Sequence, residues 1–247
     1  ANERCKNLIL REAYITGQLT HKNVVHQHQF GRSGDVFFIL LEYCRGGSVD
    51  KLMQNNNGKL KLDLATHIML QVLDGLHHVH HARVVAKLKN DEEVTANGVV
   101  HRDFKPANIF LSDDTSHPVA LVADFGLAKT FDTAGLSSHT RTGEVGGTMV
   151  FMPRQQVLNF RYAKPDVDVW AAAASYYNML TGAFPKQFSG GKDMAEQVLS
   201  LPSVPIRKRD PKIPDKLAKV IDAALVDNPK IGISTVEEFK RRIVEAL

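Results

Sequence analysis

Residues 167–181 constrain the fold of this chain more than any other segment. They are rich in alanine and carry bulky apolar side chains on more than one side of a helix, and Gly182 follows as a stop signal. A helix that is apolar all round is buried by its neighbours in a folded protein. The sequence therefore predicts a helical body with this helix in its interior.

Further helices are predicted where apolar residues recur three or four positions apart. These segments are residues 7–19, 62–81, 215–226 and a last helix that reaches Leu247. Ser234, followed three residues later by Glu237, predicts a capping box at the start of that last helix. The chain after residue 164 is therefore predicted to be mainly helical.

Short β-rich runs are predicted to form two antiparallel strand pairs. The first pair joins residues 24–30 to 36–41, and the second joins 109–111 to 119–122. Turn residues separate the two strands of each pair. The predicted fold class is α+β, with a small sheet in front of a helical body.

The composition is that of a globular chain without a membrane segment. The 247 residues include 31 basic and 27 acidic side chains, a net charge of +4, and 43% are apolar, which is enough to bury a sizeable core. No apolar run approaches the roughly 18 residues that cross a bilayer. Scattered basic residues and only 7% aromatic residues argue against a nucleic-acid partner. No feature of the sequence fixes the oligomeric state.

Cysteine usage indicates the compartment. Cys5 and Cys44 are the only two cysteines in the sequence, too few for a disulfide framework or a four-thiolate zinc site. We therefore expect a reducing compartment, the cytoplasm.

Two motifs carry the chemistry of the sequence. The pattern H-R-D-x-K-x-x-N occupies residues 101–108, between the strand pairs, and D-F-G occupies residues 124–126. With these motifs the chain resembles the protein kinases from about residue 7 to its C terminus. The resemblance implies a two-lobed kinase fold, with a truncated small β lobe at residues 1–43 and a mainly α-helical large lobe at residues 44–247. It also implies ATP and Mg²⁺ as cofactors, and transfer of the γ-phosphoryl group to Ser or Thr hydroxyls of a protein substrate.

Phosphoryl transfer explains why these residue types occur together. Negative charge spreads over the oxygens of the migrating group, so the protein supplies positioning, metal ions and cations more than covalent chemistry. By the resemblance, Asp103 accepts or orients the proton of the substrate hydroxyl, and Lys105 neutralises charge beside the γ-phosphate. Asn108 and Asp124 would hold Mg²⁺ through oxygen ligands, which suit that cation. The alternative for Lys105 is a surface lysine that pairs with Asp103.

The resemblance assigns supporting roles to three further residues. His101 is expected to pack under the phenylalanine of D-F-G as a structural residue. Asp168 is expected to accept backbone hydrogen bonds from the catalytic loop and to brace it, with Asp166 as the alternative. Thr148 is expected to hydrogen-bond Asp103 and Lys105 and to mark an enzyme specific for Ser or Thr acceptors.

Regulatory positions are also implied by the resemblance. Arg102 is expected to form charge-assisted hydrogen bonds with a phosphate on the activation segment, residues 127–151. Thr142 and Thr140 lie six and eight residues before Thr148, where similar kinases carry phosphoacceptors. We expect one or both to be phosphorylated, and the alternative is that they are ordinary loop threonines. Glu12 matches the helix glutamate that pairs with a strand lysine.

The adenine site is expected to offer an apolar slot beside backbone donors and acceptors. By the resemblance it comprises Leu41 as gatekeeper, the backbone of Glu42 and Cys44, Phe110 as the floor, Ser48 near the ribose, and Ala123.

The chain lacks two parts of the family pattern, the phosphate-covering G-x-G-x-x-G loop and the strand lysine. We interpret it as a truncated or partly resolved kinase domain, because Asp103, Asn108 and Asp124 are all present. One alternative is a catalytically silent pseudokinase or regulatory binding module, which the missing parts favour. Another is a small-molecule phosphotransferase, against which Lys105, D-F-G and the Gly147-Thr148 step argue.

The family's A-P-E motif is also changed. Residues 152–154 read Met-Pro-Arg, and Gly232 stands near the position of the arginine that normally pairs with the glutamate. Losing both members of a buried pair can be nearly neutral, whereas losing one strands a charge. We therefore predict that Arg154 turns toward solvent or toward a new acid, and that the activation segment is less firmly anchored.

Two other features have no counterpart in the family pattern. Residues 82–98 form an insertion with a charged centre, predicted to be a surface excursion or docking site. His77 and His81 share one helical face within a run of four histidines, which suggests a metal site. Zinc would need further ligands, so polar residues at a helix end are the favoured interpretation.

Overall fold

The structure, a computed structural model, describes residues 13–34, 36–87, 93–112, 117–125 and 148–247. Five residues named above lie outside these ranges, namely Cys5, Glu12, Thr140, Thr142 and Gly147, as does the glycine of D-F-G. The activation segment is described only from Thr148 onward.

The described strands all end by residue 122, with two helices among them, and the chain from residue 154 onward is mainly helical, as predicted for the residues after 164. The strands are β1 (Gln27–Ser33), β2 (Val36–Leu41), β3 (Gly47–Ser48), β4 (Arg83–Lys87), β5 (Glu93–Asn97), β6 (Ile109–Leu111) and β7 (Ala120–Val122). The helices are α1 (Val49–Asn55), α2 (Leu62–His81), α3 (Arg154–Leu158), α4 (Asp166–Thr181), α5 (Met194–Ser200), α6 (Asp215–Ala224) and α7 (Val236–Ala246). Residues 13–16 add a helical turn.

Helix α4 lies at the centre of the helical body, as predicted. All of its residues from 167 to 180 are buried, and the helix packs against α2, α6 and α7. Trp170 is fully buried and donates its indole N–H to the Leu225 carbonyl at 3.0 Å. Gly182 ends the helix in the left-handed conformation, with φ of 72°, which glycine adopts without steric cost. Helix α2 has the predicted bounds and turns its apolar stripe toward α4.

Both predicted strand pairs are confirmed, with a correction to the first. β1 pairs with β2, and β6 pairs with β7, in antiparallel register. β1 begins at Gln27 and not at residue 24, because the two valines before it pair with β7. The Val25 N–H donates to Val122 O at 2.9 Å, and the Val122 N–H donates to Asn23 O at 2.9 Å. Residues 23–25 therefore extend the β3-β6-β7 sheet, next to the catalytic loop.

The capping box predicted at Ser234 and Glu237 is wrong by one residue. Thr235 is the N-cap of α7, and its hydroxyl accepts the Glu238 N–H at 3.2 Å. The Glu237 carboxylate, expected to complete the box with Ser234, lies 2.7 Å from His77 Nδ1 in α2. A long-range contact has therefore replaced the local one that the sequence pattern suggested.

The insertion at residues 82–98 is an antiparallel hairpin of β4 and β5. Most of β5 is exposed to solvent, which confirms the predicted surface excursion. The hairpin is tied to the first helical turn, because the Gln18 side-chain amide bonds both backbone groups of Val85 at 2.9 Å. A docking role for the hairpin stays a prediction.

Within the described ranges, none of the helices combines the length and the apolar character that a bilayer span requires.

Candidate active site

The catalytic loop, residues 101–108, is held by one buried carboxylate. Asp168 in α4 accepts the His101 N–H at 2.7 Å on Oδ2 and the Arg102 N–H at 2.8 Å on Oδ1. Arg102 has a φ of 63°, a left-handed conformation that costs a non-glycine residue about 1–2 kcal/mol. The two bonds to Asp168 stabilise this bend. The predicted bracing role of Asp168 is confirmed, and Asp166 is excluded from it.

His80, which the sequence analysis treated as a polar helix-end histidine, completes this brace. Its Nε2 lies 2.8 Å from Asp168 Oδ2, and the two side chains are only 5% and 1% exposed. Burial by itself would raise the pKa of Asp168, but the hydrogen bonds from the His80 side chain and from the His101 backbone N–H hold that pKa below its ordinary value. Leu73, Leu76 and His80 follow one another at spacings of three and four residues, and both leucines are buried. That spacing could have identified His80 as an inward-facing residue.

Replacing His80 with leucine is expected to lower the free energy of unfolding by about 1.5–3 kcal/mol, because it removes a hydrogen bond to a buried charged group. The depressed pKa of Asp168 stabilises the fold above the ordinary pKa of an aspartate, and this stability is lost as the pH falls through the folded-state value. Without His80 that value rises, so acid unfolding should begin at a higher pH.

Urea unfolding at neutral pH and an acid titration followed by circular dichroism measure both effects. His67→Leu, an exposed position on the same helix, is the matched control. A His80→Leu protein as stable as that control would contradict the assigned contact.

His101 is structural, as predicted. The ring is fully buried, its Nε2 lies 2.9 Å from the Ala123 carbonyl, and its Nδ1 accepts the Asp103 N–H at 3.2 Å. The carbonyl can only accept, so Nε2 carries the proton. Burial lowers the pKa of His101, which keeps the ring neutral. The ring centroid lies 4.8 Å from that of Phe125, so His101 joins the catalytic loop to the strand that ends in D-F-G.

Asp103, Lys105, Asn108 and Thr148 form one connected polar cluster. The Asn108 side-chain NH₂ donates to Asp103 O at 2.9 Å and to Asp103 Oδ2 at 3.1 Å. Lys105 Nζ lies 3.0 Å from Asp103 Oδ2 and donates to Thr148 Oγ1 at 2.8 Å. Lys105 therefore contacts both Asp103 and Thr148, whereas the alternative interpretation was a surface lysine that pairs with Asp103 alone. The bond expected between Thr148 and Asp103 stays a prediction.

Asp124 lies in the same electrostatic neighbourhood. It adopts a φ of 59°, a strained conformation that aspartate tolerates better than most residues. Desolvation raises the pKa of Asp124, the charge of Asp103 raises it further, and His101 and Lys105 oppose the rise. Two carboxylates close enough to affect each other's ionisation favour a cation nearby.

The donor atoms fit Mg²⁺. Because the NH₂ of the Asn108 side-chain amide faces Asp103, the oxygen of the same amide points away from Asp103. An amide oxygen and the Asp124 carboxylate are hard oxygen ligands of the kind that Mg²⁺ prefers.

Three of the six predicted adenine-site residues meet in one small apolar cluster. Cys44 and Phe110, both partly buried, pack against Ala123 and its buried neighbours Val25 and Leu121.

The other three predicted adenine-site residues have local roles in the described structure. Leu41 ends β2 and is exposed. The Glu42 carboxylate accepts the His26 N–H at 3.3 Å, and the Ser48 hydroxyl caps α1 by accepting the Lys51 N–H at 3.4 Å. Nucleotide contacts of these three residues stay predictions.

Comparison with known proteins agrees with this geometry. A family model described as the protein kinase domain matches residues 1–242. The chain belongs to the protein kinase family. It is 30% identical over 220 residues to the serine/threonine-protein kinase PkaA of Streptomyces coelicolor, an alignment that covers 89% of this chain and 36% of PkaA. The serine/threonine-protein kinase PrkC of Bacillus subtilis is 25% identical, with 96% of this chain and 33% of PrkC covered.

Solved kinase structures share the fold. The Mycobacterium tuberculosis PknI kinase domain superposes with a TM-score of 0.67 at 19% identity, covering 100% of this chain and 81% of the PknI chain. The two-lobed α+β interpretation is consistent with this likeness. The chain spans about a third of the length of the curated relatives it matches.

This kinase domain replaces the usual anchor of the activation segment with a new ion pair. Of the two predicted directions for Arg154, solvent or a new acid, the structure shows the second. Its Nε lies 3.3 Å from Asp227 Oδ1, and its backbone N–H donates to Asp227 Oδ2 at 3.2 Å. Lys186 Nζ lies 2.6 Å from the same carboxylate. A Cβ atom at Gly232 would lie 2.3 Å from the Ala223 carbonyl, so the loop has no room for the family's arginine. Looser anchoring of the segment stays a prediction.

The catalytic loop has a further contact that no pattern in the sequence indicated. Gln156 in α3 is buried and donates from Nε2 to the Arg102 carbonyl at 2.6 Å. Together with Asp168, it fixes both backbone polar groups of Arg102. The side-chain role predicted for Arg102 concerns Thr140 and Thr142, which lie outside the described residues.

Proposed function

We propose that this chain transfers the γ-phosphoryl group of ATP to Ser or Thr hydroxyls of protein substrates. The observation that carries the proposal is the cluster in which Lys105 Nζ contacts both Asp103 Oδ2, at 3.0 Å, and Thr148 Oγ1, at 2.8 Å. This contact joins the catalytic loop to the end of the activation segment. The names of the curated relatives support the same acceptor class.

Each member of the cluster has a chemical task in this proposal. Asp103 Oδ2 receives two donors, Asn108 Nδ2 and Lys105 Nζ, and these orient the carboxylate toward the substrate hydroxyl. Asp103 then accepts the hydroxyl proton as the substrate oxygen bonds to the γ-phosphorus and the bond from that phosphorus to the bridging oxygen breaks, so that ADP leaves. Lys105 offsets the negative charge on the phosphoryl oxygens. Thr148 fixes the position of Lys105.

Asn108 and Asp124 are proposed to hold the metal that accompanies the nucleotide. When bound, Mg²⁺ and ATP supply charge neutralisation and the transferable group. The cluster of Cys44, Phe110 and Ala123 is proposed to receive the adenine ring, with Leu41, Glu42 and Ser48 around it. An apolar slot of this kind is typical of nucleotide pockets.

The remaining assignments extend the proposal. Glu12, Arg102, Thr140 and Thr142 are proposed as regulatory positions. Residues 1–43 are proposed as the small-lobe portion and residues 44–247 as the large lobe. A cytoplasmic location is proposed because two cysteines give no disulfide framework.

The function is tested by incubating the chain with Mg²⁺, labelled ATP and a generic protein acceptor, followed by phosphoamino-acid analysis. We expect label on Ser or Thr of the acceptor. A second preparation, carrying whatever natural sequence lies upstream of Ala1, receives the same assay. Label on neither preparation, or on small-molecule acceptors alone, would overturn the proposal in favour of a silent regulator or a small-molecule phosphotransferase.

A further inference from the structure

A second group of potential ligands lies outside the active site, where the end of α2 meets the start of α7. His77 and His81 are one turn apart on α2, and Glu237 lies in the first turn of α7. Glu237 Oε1 is 2.7 Å from His77 Nδ1 and 3.5 Å from His81 Nε2. The fold thus adds the third ligand that the histidine spacing alone did not provide. We call these three residues the His-His-Glu cluster.

The hydrogen bonds of His81 orient a lone pair toward the carboxylate. His81 Nδ1 lies 2.9 Å from the His77 carbonyl oxygen. A carbonyl can only accept, so Nδ1 carries the proton, and Nε2 of the neutral ring is an acceptor. In the neutral ring, Nε2 therefore faces another acceptor, Glu237 Oε1, at 3.5 Å. Two facing acceptors are stabilised when a cation lies between them.

This arrangement is the one that metal-binding histidines commonly show. A ligating imidazole usually donates its second N–H to a backbone carbonyl or carboxylate, which fixes the tautomer and the direction of the lone pair. His81 already makes that bond to His77 O. One ligand atom from each residue lies within 4.8 Å of the other two, and tetrahedral zinc holds its ligand atoms about 3.3 Å apart. Rotation of exposed side chains can close this difference.

The backbone of the cluster is held in place by contacts that involve no metal. Helices α2 and α7 pack together, with Val236 and Phe239 of α7 buried in the core. Lys240, one turn beyond Glu237, forms an ion pair with Asp74 of α2. The donors are therefore brought together before any ion arrives, which reduces the ordering cost of binding. The side chains of His77, His81 and Glu237 are 47%, 61% and 48% exposed, so an ion can reach them.

We propose that His77, His81 and Glu237 bind a divalent transition-metal ion of the Zn²⁺ class. Imidazole nitrogens favour zinc, copper and nickel over Mg²⁺ or Ca²⁺, and two imidazoles with one carboxylate form a recognised zinc donor set. Water completes the coordination at this open surface. His80, between the two histidines, faces the opposite way, toward Asp168, so the site is separate from the catalytic loop.

The test is a Zn²⁺ titration of the chelator-treated 247-residue chain without nucleotide, in competition with a chromogenic zinc indicator. We expect the wild-type chain to take one equivalent of Zn²⁺ from the indicator through the His-His-Glu cluster. Loss of a residue that only hydrogen-bonds a metal ligand already costs about 10–100-fold in metal affinity. Removing a ligand itself, as in His81→Gln or Glu237→Gln, should therefore lower the affinity for this zinc ion at least about tenfold. His78→Gln is the matched control, because His78 lies on the same turn but stacks on His21, and it should bind as the wild type does.

Two results would overturn the site: equal affinity in the wild type, His81→Gln and Glu237→Gln, or an equal loss in His78→Gln, which would indicate diffuse binding by histidines. Far-UV circular dichroism verifies that each variant is folded. A Zn²⁺-dependent rise in Tm provides a second readout, which the wild type and His78→Gln should show and Glu237→Gln should not.

Discussion

Replacing Asp103 with asparagine is expected to lower kcat for phosphoryl transfer about 10²–10⁴-fold, the usual contribution of a general base. Asparagine keeps the size of the side chain and an oxygen that can accept from Asn108 and Lys105, whose donors converge on Asp103 Oδ2. It cannot accept the hydroxyl proton. The expected loss is therefore in kcat, with KM for ATP close to the wild-type value.

The measurement is steady-state transfer of labelled phosphate with a protein acceptor, together with nucleotide binding by the same preparation. Asp50→Asn on α1 is the matched control, because Asp50 hydrogen-bonds Gln54 at the surface and has no part in the cluster. Full activity in Asp103→Asn would remove the base from the proposed mechanism. Loss of nucleotide binding together with activity would instead point to a structural role for Asp103.

The elements that the sequence predicted best are those in which local pattern and tertiary contacts agree. Helix α2 has the predicted bounds because one continuous apolar stripe packs on α4. Helix α4 is buried on all sides, as its composition indicated. Helix α1 was not predicted, because seven residues are too few to establish a helical repeat.

Motif spacing identified the catalytic loop, and the family resemblance identified Asp168 as one of its supports, but His80 and Gln156 were not predicted. Asp103, Lys105 and Asn108 occur within six residues, so their proximity could be predicted from the sequence. His80 and Asp168 are 88 residues apart, and no local pattern connects them. The same holds for Glu237, whose place beside His77 depends on how α7 packs against α2. Contacts of this kind follow from tertiary packing.

One helix turn illustrates how the supports are distributed. The last turn of α2 directs His80 inward to the carboxylate that holds the catalytic loop, and directs His77 and His81 outward to Glu237. The histidines of residues 77–81 therefore fall into groups by direction: His80 points inward, His77 and His81 face Glu237, and His78 stacks on His21. The helical period determines which member joins which group.

The ion pair at the end of the activation segment leads to the largest expected change in stability. Lys186 is fully buried, and its Nζ contacts Asp227 Oδ2 at 2.6 Å and the Val198 carbonyl at 2.7 Å. Replacing Asp227 with asparagine leaves this ammonium group buried without its counter-charge. Breaking a buried pair in this way typically costs about 3–5 kcal/mol. Urea unfolding at neutral pH measures the loss, and Asp210→Asn, which removes an exposed pair with Lys59, should cost less than about 1 kcal/mol.

The pH dependence of this variant distinguishes a stranded charge from lost packing. Desolvation lowers the pKa of Lys186 below its ordinary value of 10.5, while Asp227 opposes that shift. Between the folded-state pKa and 10.5 the unfolded chain binds more protons than the folded chain, so stability rises with pH in that window. Without Asp227 the folded-state pKa of Lys186 falls further, and the rise in stability should begin at a lower pH and be larger than in the wild type.

Adding Lys186→Met to Asp227→Asn removes the stranded charge and should restore most of the lost stability. Two results together would show that packing and not charge holds this end of the segment: a double variant as unstable as Asp227→Asn alone, and a pH dependence of Asp227→Asn equal to that of the wild type.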